Sequence, residues 1–359
     1  MAKIVNICDV CSEIFAGGDA PKGNMSETKT EEYNIPIYAN GEANEGLYGY
    51  TNKARVTKPS ITVSARGTIG YTAIRPTPFV PIVRLITLTP NPELIDIKYL
   101  YYAAQNYKFD GSGTSIPQLT VPSLKKYSFP LPAMEEQAHI VMILDNVCDL
   151  IDQKKQQLEL LDELVKSRFI ELFGDPNTNP MKWKKEQLQI NATLLNGRAY
   201  KQDELLDDGK YPVLRVGNFF SNRGWYYSDL ELDEDKYCDD GDLLYAWSAS
   251  FGPRIWNGGK VIYHYHIWKV LVGEKYNKQF LCHLLDYATA SFMGDTHGIG
   301  MMHLTKSGME ETEFIVPLID LQKQFAAFVK QTDKSKLAVQ NSIAELEELK
   351  KSLMQKYFG

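Results

Sequence analysis

Residues 161–174 read LDELVKSRFIELFG, and residues 346–359 read LEELKKSLMQKYFG. The two stretches align without a gap at a shift of 185 residues, and both close on Phe-Gly. Carried back along the chain, the same shift places Gly113 on Gly298, Leu119 on Leu304, Thr120 on Thr305, Phe129 on Phe314, Pro132 on Pro317 and Gln137 on Gln322. Solenoid repeats recur every ~20–50 residues, so a period this long means two domains and two connecting elements. The reading divides the chain into a globular segment at 1–132, a helical stretch at 133–174, a second globular segment at 175–317 and a second helical stretch at 318–359. The expected class is α+β: two mixed α/β domains, separated by two long helices and related by a pseudo-twofold.

The helices are marked by their apolar rows. Leu144, Ile151, Leu158, Val165 and Leu172 recur at every seventh position, with Val147 and Leu161 between them; Lys154 and Arg168 interrupt that second stripe. The second copy repeats the pattern with Phe325, Val339, Leu346 and Leu353, and with Val329, Ile343 and Tyr357 beside them. A seven-residue apolar repeat is a coiled-coil seam, which cannot remain in water. Two such helices in one chain are expected to pair antiparallel with each other. Pro132 and Pro317 stand just before each helix, where proline is tolerated, and Gly174 lies just past the first, the usual place for a left-handed cap.

The composition is that of an ordinary soluble protein, 44% hydrophobic and 23% charged. No run of ~18 apolar residues suggests a membrane span. The N-terminus lacks the pattern of a signal peptide. Five cysteines, an odd number, point to a reducing cytoplasm rather than a disulfide framework. The net charge of −6 argues against a stand-alone nucleic-acid binder. It is unevenly spread: +2 over 1–132, −5 over 133–174, −5 over 175–317 and +2 over 318–359. Any affinity for DNA must therefore be local or shared with another subunit.

Each globular segment mixes strand-like runs (60–64, 79–83, 242–246, 260–263) with Gly, Pro and Asn turns. Late in each comes an apolar helix candidate, at 97–104 and 279–285, and then a Gly-rich loop, at 111–119 and 297–304. Outside these anchors the two have diverged, as Ser64–Gly70 and Trp247–Arg254 illustrate. There is no phosphate-binding loop or dinucleotide fingerprint, and no Asn/Asp-Pro-Pro-aromatic tetrad of an adenine methyltransferase. Cys8 and Cys11 have a metal-like spacing but no second pair nearby, and read as packing on a helix face. His264 and His266 fall on one face of a strand in this reading, again as structural residues. No metal site is expected.

The order domain–helix–domain–helix resembles the specificity subunit of a type I restriction–modification enzyme over essentially the whole chain. So do the Pro-x-x-x-x-Gln start of each helix and the junction Leu172-Phe173-Gly174-Asp175-Pro176 leading to Trp183. The resemblance implies a non-catalytic subunit whose two target-recognition domains read a bipartite sequence in double-stranded DNA across an unspecified spacer. Its implied partners are methyltransferase subunits, two of them, and motor-nuclease subunits. S-adenosylmethionine, ATP and Mg would sit on those partners, with no cofactor on this chain. Two other readings stay open: a single-chain DNA methyltransferase or nuclease with an unrecognised active site, and a coiled-coil scaffold.

Arginine suits guanine, Asn and Gln suit adenine, and Lys and Ser/Thr mostly hold phosphate. The candidates in the first domain are Asn40, Arg66, Thr68, Ser115 and Gln118, with Lys22 on phosphate. In the second they are Arg215, Asn218, Ser250, Arg254 and His303, with Lys201 on phosphate. Arg66 and Arg254 are expected at comparable points of the two frames, each in a Gly-containing turn after a strand.

Overall fold

The computed structural model describes residues 2–76, 78–107, 118–221, 224–248, 250–294 and 305–359. The chain forms two compact units, Met1–Gln156 with Gln340–Gly359, and Gln157–Val339.

In the first unit, β1 (Lys3–Asn6), α1 (Ile7–Val10) and β2 (Cys11–Ala16) are followed by β3 (Ile35–Tyr38), β4 (Leu47–Thr51), β5 (Ser60–Val63), β6 (Thr72–Arg75), β7 (Val80–Pro81) and β8 (Ile86–Pro90). Then come α2 (Ile97–Asn106), α3 (Val121–Leu124), β9 (Ser128–Leu131) and the long helix α4 (Met134–Phe173). The strands form a sheet in the order β2-β8-β5-β6, a smaller one in the order β4-β3-β7, and the pair β1-β9. Side chains alternate along β5 and β8 with the two-residue period of a strand. Ile61, Val63, Ile86 and Leu88 thus face one core with Tyr99, Leu100 and Ala103 of α2 and Ile140 and Leu144 of α4.

The second unit repeats this wiring with β10 (Lys185–Gln187), α5 (Leu188–Asn191), β11 (Ala192–Asn196), β12 (Tyr211–Leu214), α6 (Val216–Phe220), β13 (Tyr226–Ser228), β14 (Tyr237–Cys238), β15 (Leu243–Ser248), β16 (Ser250–Ile255), β17 (Val261–Tyr263) and β18 (Ile267–Val272). It closes with α7 (Lys278–Gly294), α8 (Lys306–Glu311), β19 (Glu313–Ile315) and α9 (Ile319–Phe358). Its sheets run β11-β18-β15-β16 and β13-β12-β17-β14, with the pair β10-β19. Even the register is kept. Ile14, Leu88, Ile61 and Ile74 lie abreast in the first unit, as Leu194, Val270, Leu243 and Ile255 do in the second.

Two glycines show why the frame is kept where side chains diverge. A Cβ on Gly17 would lie 2.6 Å from the Pro81 carbonyl, and one on Gly197 would lie 2.4 Å from the Tyr263 and His264 oxygens. In each unit the chain crosses at this point too closely for any side chain. The entry to each long helix is also duplicated. Gln137 accepts from Asp96 N–H (2.9 Å) and donates to the Leu94 and Pro132 carbonyls (3.1 and 2.9 Å). Gln322 accepts from Asn277 N–H (2.8 Å) and donates to the Lys275 and Pro317 carbonyls (3.0 and 2.8 Å). Asp96 and Asn277 cap the starts of α2 and α7 with their side-chain oxygens, so one glutamine in each unit locks a helix start to the root of a long helix.

The helices pair antiparallel. In the first unit Ile140, Val141 and Leu144, early in α4, meet Leu353, Met354, Tyr357 and Phe358, late in α9. In the second, Val165, Phe169 and Phe173 meet Phe325 and Val329. Ion pairs flank the seam, Lys155 with Glu347 at 3.8 Å in the first unit and Lys336 with Asp162 at 2.5 Å in the second. Leu144, Ile151 and Val165 of the predicted row are buried, and Leu158 and Leu172 are half-buried. Gly174, at φ 71°, caps α4 by donating its N–H to Ile170 O at 2.8 Å. One reading changes. Cys8 and Cys11 share no helix face, because α1 stops at Val10 and Cys11 opens β2.

Candidate nucleic-acid interface

In the first unit the decisive element is the turn between β7 and β8. Ile82 O accepts from Leu85 N–H at 3.0 Å, and the residues between them, Val83 and Arg84, have φ of 53° and 62°. This left-handed conformation is unusual for any residue but glycine, Asn or Asp, and strained for a β-branched one; such residues cost about 1–3 kcal/mol each. The turn is held by Val83 N–H on Gly18 O (2.8 Å) and Arg84 N–H on Gly17 O (3.0 Å). Asn40 braces it further, donating to Val83 O at 2.5 Å and accepting from Ala65 N–H at 2.7 Å. Three loops are thereby fixed to one another: the one after β3, the one after β5 and the β7–β8 turn.

On this brace sit two arginines. Arg66, just past β5, donates to Gln118 Oε1 at 2.9 Å, and Arg84 donates to the same oxygen at 3.4 Å. Among the described residues their shared partner is a neutral amide and neither makes an ion pair, and both arginines lie on an exposed surface. Arg75 is the opposite case. It is buried between the sheets, donating to Thr62 Oγ1 at 2.8 Å with its guanidinium 4.1 Å from the centre of the Tyr38 ring, and burial pulls its pKa down. Thr68 lies exposed in the same β5–β6 loop as Arg66, and its carbonyl accepts from Tyr71 N–H. Lys22 is exposed in the turn begun by Pro21.

The second unit places different chemistry at the same point. His264 N–H donates to Leu214 O as Ile82 N–H does to Tyr38 O, and Ile267 N–H closes on His264 O as Leu85 N–H closes on Ile82 O. The register therefore sets His264, Tyr265 and His266 where the first unit has Ile82, Val83 and Arg84. The two histidines lie on a tight turn, not on one strand face as the x-His-x-His pattern suggested. They line a cleft of about 600 Å³ with Arg215, Asn218, Trp225 and Tyr226. Arg215 lies over the Tyr226 ring at 5.1 Å, and Asn218 bridges Arg215 N–H (3.4 Å) and Gly224 O (3.1 Å).

The imidazoles are 4.7 Å apart between centroids. Burial pulls the pKa of His264 down to about 4, with the His266 and Arg215 charges adding to the effect, so it is a neutral donor and acceptor at physiological pH. Burial lowers the pKa of His266 as well. Trp247 stands edge-on to His266 at 5.0 Å and donates its indole N–H to Tyr265 O at 2.9 Å, continuing a stack that runs through Trp268 to Tyr245.

Of the predicted residues, Asn40, Arg66 and Gln118 are brought together in the first unit, and Arg215 and Asn218 in the second. Arg254 is not the counterpart of Arg66. It lies within β16 opposite Leu244, donating to Phe219 O at 2.5 Å, whereas Arg66 is in a loop. Ser250 is exposed at the start of β16 opposite Ser248, and Lys201 is exposed with its backbone N–H on Glu204. Ser115 and His303 lie outside the described residues. The sequence did not single out Arg84 or Trp247, and it placed the two histidines on a strand. The turn that carries Arg84 has no Asn or Gly to announce it, and its partner Gln118 is 34 residues away.

Among the described residues no group of His, Cys, Asp or Glu is arranged to hold a metal ion, and no helix is long and apolar enough to cross a membrane.

Comparison with known proteins places these features in a family. A model of the type I restriction modification DNA specificity domain matches residues 2–161 and again residues 180–350. A putative type I specificity subunit of Mycoplasma pneumoniae is 36% identical over 143 residues, which cover 40% of this chain and 42% of that protein. A second from the same organism is similar over 39% of its length, so the chain matches about two fifths of these relatives. A type I restriction enzyme specificity subunit of Methanocaldococcus jannaschii is 24% identical over 95% of this chain and 86% of its own. The fold is that of the S subunit of a type-I restriction-modification system from M. genitalium, with a TM-score of 0.57 and 17% identity over 100% of this chain and 96% of that one. It is likewise that of a chain solved in a study of complex assembly and conformational transition in the type I R-M system, with a TM-score of 0.63 and 15% identity over 99% and 97%. The chain belongs to the type I restriction modification DNA specificity family and carries its domain twice.

Proposed function

We propose that this chain is the non-catalytic, sequence-reading subunit of a type I restriction–modification complex. Residues 1–132 and 175–317 act as target-recognition domains, each reading one half of a bipartite site in double-stranded DNA across an unspecified spacer. The paired helices carry two methyltransferase subunits, to which motor-nuclease subunits are added. S-adenosylmethionine, ATP and Mg belong to those partners, and the complex works in the cytoplasm.

One observation carries the reading. Two units of the same register gather chemically different polar groups at the same β-turn: a guanidinium pair on a glutamine in one, and an imidazole pair with Arg215 and Asn218 in the other. A conserved frame with divergent polar tips suits two readers of two sequences, because base edges are told apart by donor and acceptor pattern. The net charge of −6 is compatible, since phosphate attraction is then supplied mainly by the partners.

The test is to replace residues 175–317 by the corresponding segment of a relative, assemble the methyltransferase and map methylation across a genome. One half-site should change and the other remain. If both change together, or if the chain alone methylates or cleaves DNA, this reading is wrong.

A further inference from the structure

We infer that Arg84, a residue of the strained turn, reads a guanine in the half-site of the first unit, with Arg66 and Gln118 as the groups that set its plane. The inference rests on the DNA-reading function proposed above and names one of the bases read.

Four observations lead to it. First, the backbone at Val83 and Arg84 is held in a left-handed conformation that the scaffold does not require. The matching residues of the second unit, Tyr265 and His266, close the same turn without positive φ. Strain that the frame can do without, kept in place by Gly17, Gly18 and Asn40, is the kind that positions a functional side chain. Second, Arg84 and Arg66 come from separate loops and converge on a single oxygen, Gln118 Oε1. A shared acceptor restrains both guanidinium groups to one side of the turn. A phosphate contact needs only charge within reach, whereas bidentate pairing with guanine O6 and N7 needs a fixed plane.

Third, the acceptor is uncharged, so among the described residues the arginines are oriented without being neutralised. Two other arginines contrast with this: Arg75 is buried over Tyr38 with Glu45 at 3.7 Å, and Arg198 is neutralised by both oxygens of Glu204. Fourth, the equivalent position in the second unit is His266 in the Arg215 cleft. The turn keeps its register in both units while its side chains change, and that is where specificity would be set.

The experiment uses the chain assembled with its methyltransferase subunits and a DNA library randomised across both half-sites, with bound sequences counted at several salt concentrations. Arg215→Ala, in the second unit's cleft, first identifies which half-site belongs to which unit. In the wild-type complex one position of the first unit's half-site should be guanine. Arg84→Ala should relax that position by about 5- to 150-fold, the usual worth of a bidentate arginine–guanine pair, and leave the second half-site unchanged. Arg84→Lys keeps the charge but loses the fork. It should relax the same position with the salt slope unchanged, and it carries the test should the alanine variant not fold.

Three results would overturn the inference: a wild-type first half-site without guanine, unchanged preference in both variants, or uniform weakening with a salt slope reduced by about one, the mark of a phosphate contact. A wild-type complex with no sequence preference would instead overturn the DNA-reading function itself, so the two failures are distinguishable.

Discussion

At the scale of single residues, Gln137 and Gln322 show how little side chain a repeat needs in order to be kept. Both are fully buried, and each satisfies one N–H and two carbonyls at the root of a long helix. Leucine is nearly isosteric but would leave those three groups without the glutamine as partner. Gln137→Leu is therefore expected to destabilise the first unit by about 2–4 kcal/mol, since each buried unsatisfied group costs about 1–3 kcal/mol and some find water. Urea unfolding of the variant measures this, and a loss below ~1 kcal/mol would mean the clamp is ornamental. His283 makes the pH-dependent case. It packs edge-on to Phe325 at 5.2 Å, and burial, helped by the Lys336 charge, pulls its pKa down to about 4. The unfolded chain binds a proton at about pH 6.5 and the folded one does not until about 4. Its contribution is therefore fully present above pH 6.5 and falls away as the pH drops toward 4. His283→Gln should flatten the stability profile in that window by up to ~1.4 kcal/mol per pH unit. A slope equal to that of the wild type would exclude His283 as the source.

At the scale of elements, the long helices were the most legible part of the sequence, because a seven-residue row is written in the order in which it packs. Val165 is buried as its place in the row demands, and Arg168, which breaks the second stripe, lays its guanidinium 5.9 Å from the Phe328 ring and pairs with Glu171 at 2.7 Å. The neighbouring Phe169 lies off both stripes yet packs within 5.1–5.6 Å of Phe173, Phe280 and Phe325. Phe169→Ala should cost about 3–5 kcal/mol by denaturant titration. Leu160→Ala, on a side chain 63% exposed, should stay within about 0.5 kcal/mol, and equal losses would mean the seam is misassigned. The turns were far less legible. Positive φ at Val83 and Arg84 has no signature in the sequence, since the usual residues for such a turn are Asn and Gly. His264 and His266 lie on a turn equally devoid of turn residues, and so they read as strand. Sites built by loops meeting across 34 to 52 residues leave no local pattern to read.

At the scale of the molecule, the duplication fixes more than symmetry. The core of the first unit contains Met354 and Phe358, the latter with its ring 5.0 Å from that of Tyr99, whereas the second unit's core lies wholly between Val165 and Val329. Removing residues 340–359 should therefore unfold the N-terminal unit and spare the one between. Limited proteolysis with mass mapping would show residues 1–156 cut and 157–339 protected. Protection of both would mean the last turns of α9 are dispensable. The same inclusion sets an order of events during synthesis. On the ribosome the first unit is translated first but must wait, because the segment that seals it, residues 340–359, is made only after the second unit. The central unit is free to fold as soon as α9 is half emerged, so the protein matures from its middle outward. The first unit exposes Tyr99 and its neighbours until residues 340–359 have emerged. A message broken off before residue 340 would then yield a product with one closed core and one open core, and quality control would recognise it by the first unit although the missing segment lies beyond the second.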